Sequence, residues 1–125
     1  MGSVSSELLD SNIVIDFLNG VADANRVVRR SRDPAISLVT WIEALVGVTP
    51  GEDEQRTRTF LSSMAVLPIS LAVAEEAVRI RRERRLKLPD ALIWATARTE
   101  GLVLVTRNTK DFPADDPSIR IPYRL

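Results

Sequence analysis

At 125 residues, 45% hydrophobic and 27% charged, the chain has the composition of an ordinary soluble domain and too little length for a second independent core. It contains no cysteine and no histidine, which excludes disulfides, thiol nucleophiles, Ser-His-Asp hydrolysis and imidazole-ligated metals. The formal net charge of zero lacks the overall basicity of a simple nucleic-acid binder, and hydrolysis near neutral pH would fall to carboxylates with a hard metal.

In chain order, residues 1–6 are small and polar and read as a flexible start or an appended remnant. They fit the Met-Gly-x-x-x-Ser myristoylation pattern, but no basic cluster nearby supplies the second anchor that stable attachment needs. No apolar run approaches the roughly 18 residues of a membrane span, and no secretory signal is visible, so no membrane contact and a cytoplasmic location are expected.

From residue 7 to 125 the pattern is that of one domain. A short apolar strand, Glu7–Asp10, leads into a helix with Ile13, Val14, Phe17 and Leu18 on one face and Gly20 at its C-terminal cap. Ala35–Val39 is the second strand, and after Thr40 the residues Trp41, Ala44, Leu45 and Val48 repeat at helical spacing. A polar helix over Glu52–Ser63 precedes a third strand, Ala65–Ile69. Ser70 then suits the N-cap of a long helix carrying Val73, Ala74, Ala77, Val78 and Ile80. Pro89 suits the first position of another helix, with Ile93, Trp94 and Ala97 inward and Gly101 ending it. Leu102–Thr106 and Ile119–Pro122 complete the strands. Several strands are apolar without alternation, as strands covered on both faces are. The expected fold is an α/β three-layer sandwich around a central, mainly parallel β-sheet.

Ligands in open parallel sheets sit beyond the carboxyl ends of the strands. Asp10 ends the first strand, Glu43 lies in the first turn after the second, Asp90 starts the helix before Leu102–Thr106, and Asp111 follows that strand. Four acids could thus share one edge, where their repulsion would call for a cation. Oxygen donors alone favour Mg²⁺ or Mn²⁺ over zinc. Each acid also has an ordinary structural reading. Thr40-Trp41-Ile42-Glu43 matches a capping box, Asp90 favours the helix dipole, Asp10 could cap a helix, and Asp111 could be a solvated turn acid.

Leu8-Leu9-Asp10-Ser11-Asn12-Ile13-Val14-Ile15-Asp16 is similar to the opening of PIN-domain ribonucleases. Thr40-Trp41-Ile42-Glu43-Ala44, the run Leu88-Pro89-Asp90 to Ala97, and Leu104-Val105-Thr106-Arg107-Asn108-Thr109-Lys110-Asp111-Phe112 resemble that family's later motifs, in order. The match runs from about Glu7 to Ile121, and its details resemble the VapC toxins of toxin–antitoxin pairs. The resemblance implies a PIN-like domain over residues 7–125 and an Mg²⁺- or Mn²⁺-dependent endoribonuclease neutralised by a VapB-type antitoxin. It implies metal binding by Asp10, Glu43, Asp90 and Asp111, with Asn12, Thr106 and Asn108 orienting ligands. Many relatives carry an acid where this chain has Asn108; a subset places it further on, as at Asp111. A homodimer, and a larger assembly with the antitoxin, are implied as well.

All but two of the seventeen basic residues are arginine, and Arg79, Arg81, Arg82, Arg84, Arg85 and Lys87 sit together just ahead of Asp90. Arg79, Arg82, Arg85 and Lys87, with Arg107, are candidate RNA-phosphate contacts. The same run could be a solvated helix end or a surface for an antitoxin's acids. Trp41 and Trp94 fall on apolar helix faces and read as core. Asp10-Ser11-Asn12 lacks the second acid of a haloacid-type phosphatase, and the third strand lacks the terminal Asp of a receiver domain. The competing reading from another class is a PIN-like module that binds RNA or protein without cleaving.

Overall fold

The computed structural model describes residues 5–125; residues 1–4, with most of the expected flexible start and its myristoylation-like pattern, lie outside the described residues. The five strands are β1 (Glu7–Leu9), β2 (Ala35–Ser37), β3 (Ala65–Leu67), β4 (Val103–Val105) and β5 (Ile119–Arg120). Six helices join them: α1 (Ser11–Leu18), α2 (Ala22–Arg30), α3 (Leu38–Val46), α4 (Glu52–Ser62), α5 (Leu71–Glu83) and α6 (Leu88–Glu100). The strand order is β3-β2-β1-β4-β5 and every pairing is parallel.

Alternate residues of the short strands feed two cores. Leu8, Ala35, Leu104 and Ile119 pack with Val73, Ala77 and Ile80 of α5 and Ile93, Trp94 and Ala97 of α6. Leu9, Ile36 and Val105 face the other way, onto Ile13, Val14, Ala44 and Leu61 from α1, α3 and α4. Central strands that are apolar on both faces follow from this double cover. The edge strand β3 departs from it, since Ala65 and Val66 are exposed.

Local chemistry stops the strands earlier than their apolar runs suggest. Ser37 Oγ accepts from Val39 N at 3.0 Å, so α3 begins at Leu38 and the second strand ends two residues short of Val39. That cap also overturns the capping-box reading of Thr40 to Glu43. Thr40 lies inside the helix, and Glu43 is in its second turn. Ser70 caps α5 as expected, accepting from Val73 N at 3.2 Å. Gly101 ends α6 at φ +69°, a left-handed conformation that a side chain disfavours. Helix α2 has no counterpart in the sequence reading. Its stretch is rich in arginine, and only Ala24, Val27 and Val28 turn inward.

Sequential strands run outward from β1 through β2 to β3, then the chain returns to β4 on the other side of β1. The order therefore reverses between β1 and β4, and the crevice beyond their carboxyl ends is the place where parallel sheets bind ligands.

Candidate active site

Asp10 follows β1 directly and is 3% exposed. Its backbone N–H donates to Val105 O at 2.9 Å, which joins the ends of β1 and β4. Its side chain is the N-cap of α1, accepting from Ser11 N at 2.8 Å on Oδ1. Capping and site membership are thus one arrangement. The other oxygen, Oδ2, accepts from Thr106 Oγ1 at 2.6 Å and from Asn12 Nδ2 at 3.2 Å.

Thr106 has one hydroxyl proton, and Asp10 takes it. Its oxygen is then free to accept from Asn12 Nδ2 at 3.2 Å and Asn108 N at 3.1 Å. Asn12 Oδ1 in turn accepts from Arg107 N at 3.3 Å. The residues expected to orient ligands therefore form one network around Asp10. Asn108 belongs to it from the other end. Its Nδ2 donates to Asp111 Oδ2 at 2.9 Å, while its Oδ1 accepts from the backbone of Lys110 and Asp111 at 3.2 and 3.1 Å. Asn108 is spent on shaping the loop and aiming Asp111.

Glu43 reaches the same edge from α3, where Ser11 Oγ donates to its Oε1 at 2.6 Å. Ser11 has then used its only proton, so the hydroxyl of the buried Thr40 is the donor across the 2.9 Å Ser11–Thr40 contact. Neither Ser11 nor Thr40 was singled out as a functional residue from sequence, although both lie inside the motifs. Asp90 projects from the first turn of α6 and is half-buried.

Two of the carboxylates, Asp10 and Asp90, feel their acidic neighbours. Burial, with Asp90 and Glu43 adding to it, pushes Asp10 up to about 6, against the lowering by its Thr106 and Ser11 hydrogen bonds. Burial raises Asp90 as well, followed by the charges of Asp111 and Glu43, with Lys87 opposing them. Among the described residues no three acids close into a ready-made metal cage. The cluster is open, oxygen-only and mutually repulsive. That donor set fits a hard divalent cation that keeps water in its remaining positions.

The arginine run divides on inspection. Arg79 pairs with Glu76, which also holds Arg98; Arg81 Nε donates to Leu86 O at 3.3 Å. Arg84 and Arg98 lie over the Trp94 ring at 5.1 and 4.3 Å, and the buried Trp94 donates from Nε1 to Ser118 Oγ at 3.1 Å. Trp94 is core, as its place on the helix suggested, while Trp41 is half-buried beneath Arg58. Arg82, Arg85 and Lys87 are exposed and form no ion pair among the described residues. Arg107 is different again. Its guanidinium is committed to Asp16, a buried acid that the motifs contain but composition and spacing gave no reason to select.

Comparison with known proteins places this geometry. The model of the PIN domain matches residues 8–114. Ribonuclease VapC10 of Mycobacterium tuberculosis is 37% identical over 114 residues, covering 85% of each chain. Among solved structures, a chain of a toxin–antitoxin complex from Klebsiella pneumoniae is 45% identical with a TM-score of 0.90, covering 96% of this chain and 100% of that one. A chain of DNA-bound VapBC from Salmonella typhimurium is 26% identical with a TM-score of 0.75, over 94% and 96% of the two chains. With the family's acidic motifs gathered at one sheet edge, the chain belongs to the PIN-domain family, in its VapC branch.

Proposed function

We infer that the chain is a divalent-metal-dependent endoribonuclease of the VapC type, with its active site at the acidic edge. The observation that carries this is the acidic edge itself: burial raises the proton affinity of Asp10 and Asp90, and the charge of Glu43 adds to both, with Asp111 adding at Asp90. Nothing in folding alone favours that repulsion. The 37% identity to a chain named a ribonuclease supplies the substrate class.

Asp10, Glu43, Asp90 and Asp111 would hold the cation, Mg²⁺ or Mn²⁺ by the chemistry of the donors. Once bound, such a cation acidifies water and offsets charge developing on the phosphate. The protein's own contribution is orientation. Thr106 and Asn12 fix Asp10, Ser11 fixes Glu43, and Asn108 fixes Asp111. Arg82, Arg85 and Lys87 give RNA phosphates a free cationic approach beside Asp90.

Related solved structures include toxin–antitoxin complexes, which supports neutralisation of this chain by a VapB-type antitoxin, in the cytoplasm where its RNA lies. No helix of the described residues is long and apolar enough to cross a membrane. Exposed Leu71 and Val78 on α5, with Leu88 on α6, support pairing into a homodimer and a larger assembly with the antitoxin.

The test is incubation of the purified chain with total RNA and Mg²⁺ or Mn²⁺. Cleavage to ends with 5′-phosphate and 3′-hydroxyl is expected, and a chelator should abolish it. Cleavage that survives the chelator overturns the metal dependence. Absence of cleavage by metal-loaded, antitoxin-free protein favours the binding-module reading instead.

A further inference from the structure

Asp16 is 5% exposed and lies on α1, six residues beyond Asp10 and outside the acidic cluster. Its carboxylate takes the Arg107 guanidinium bidentately, Nε on Oδ2 and Nη2 on Oδ1 at 3.0 Å. Tyr123 Oη adds a third hydrogen bond to Oδ2 at 2.8 Å. Three stretches of chain converge here: α1, the loop after β4, and the segment after β5. The Arg107 hydrogen bonds hold the Asp16 carboxyl below its ordinary range despite burial, and Tyr123 adds to the effect. The carboxylate stays charged.

A buried ion pair is weak evidence of stability, because desolvation offsets much of the attraction and an apolar replacement of the same shape is often no worse. What a two-point fork adds is direction. Here the direction bears on the active-site loop. Arg107 lies between Thr106, which donates to Asp10, and Asn108, which aims Asp111. Its own backbone N–H donates to Asn12, the other residue that orients Asp10. Holding the Arg107 side chain from below therefore holds the backbone that joins the two orienting networks.

We propose that Asp16 and Tyr123 are positioning residues for RNA cleavage, acting through Arg107 to keep the 106–111 loop, and the Asp111 carboxylate on it, in register with Asp10. The proposal rests on the acidic edge being the catalytic site. Neither residue contacts the acids, so neither is a catalytic residue.

The test compares Asp16→Asn and the gentler Tyr123→Phe with the parent chain in two measurements. The first is kcat and KM on a fluorogenic RNA oligonucleotide with Mn²⁺; the second is amide hydrogen exchange along the whole chain. For Asp16→Asn, kcat should fall about tenfold while KM stays within about twofold, the range typical of residues that orient metal ligands. Tyr123→Phe should move kcat the same way by less. In both variants the amides of residues 107–111 should exchange faster while those of β1 and β4 hold. Combining Asp16→Asn with Arg107→Met should lose no more kcat than Arg107→Met alone, since the two act as a unit.

Loop exchange unchanged in both variants overturns the proposal. So does acceleration spread evenly over the domain, which marks a merely structural role, or additive losses in the double variant. If the parent chain cleaves no RNA, the catalytic reading fails; the exchange measurement still separately decides whether the clamp holds the loop.

Discussion

The acidic edge and the arginine-rich segment before α6 handle charge in opposite ways. At the edge, Asp10 is almost fully buried, and the carboxylates of Asp10, Glu43 and Asp111 accept from neutral donors, Thr106 and Asn12, Ser11, and Asn108. In the arginine segment the side chains are exposed, and those that are paired meet neighbours on α5 and α6 or the Trp94 face. Buried polar networks fix positions, because any broken link leaves an unsatisfied group in a low-dielectric setting. Exposed cations supply a field that salt screens and that tolerates movement. One region is arranged for chemistry at defined points; the other is suited to a backbone of repeating phosphates.

Substitution should separate the two regions. The largest effect belongs to Asp10→Asn and Asp90→Asn, each of which should reduce RNA cleavage by about 100-fold or more, beyond what loss of an orienting group costs. Retained activity in either variant would remove the edge from the mechanism. Next come Asp111→Asn and Asn108→Ala. Both should lower kcat, with the greater loss at Asp111, because Asn108 acts by aiming that carboxylate; a greater loss at Asn108 would reverse their roles.

A smaller effect is expected on the basic side. Replacing Arg82 and Arg85 together by alanine should weaken RNA binding several-fold, leave kcat at saturation unchanged and lower the salt slope of binding by about one to two. An equal effect from Arg79→Ala, whose guanidinium is already paired with Glu76, would show that position rather than availability governs binding.

The smallest effect concerns stability and pH, where Asp16 probes the boundary between the two kinds of charge. Its folded-state pKa is depressed, chiefly by Arg107, so its stabilising contribution is present above the unfolded value near 3.8 and is lost as pH falls through the folded value. The stability difference between the parent and Asp16→Asn, measured by urea unfolding, should therefore be constant from pH 7 to 5 and shrink below pH 4. A difference that grows on acidification would contradict the charge assignment.

Much of this was legible along the chain. All five strands fall within the expected short apolar runs, and the caps at Ser70 and Gly101 hold. The errors have local physical causes. Helix α2 escaped notice because arginines dilute its apolar face, and its inward Val27 and Val28 acquire meaning only from the core they meet. Glu43 looked like half of a capping box because Thr40 stands three residues before it, whereas Ser37 is the residue whose hydroxyl faces a free N–H. The cationic run looked uniform although Trp94 and Glu76 claim part of it.

The absence of histidine and cysteine, the strand-then-acid order and the double-sided apolar runs are properties of the chain itself. They determine an α/β sheet and leave acid–base work to carboxylates, because residue type and local periodicity depend on nothing beyond near neighbours. Which cations remain available, which donor aims each acid, and the pairing of Asp16 with residues 91 and 107 positions further on were decided by folding. Those are matters of distance in space, and side chains so far apart in sequence acquire a geometry only when the sheet brings their strands together.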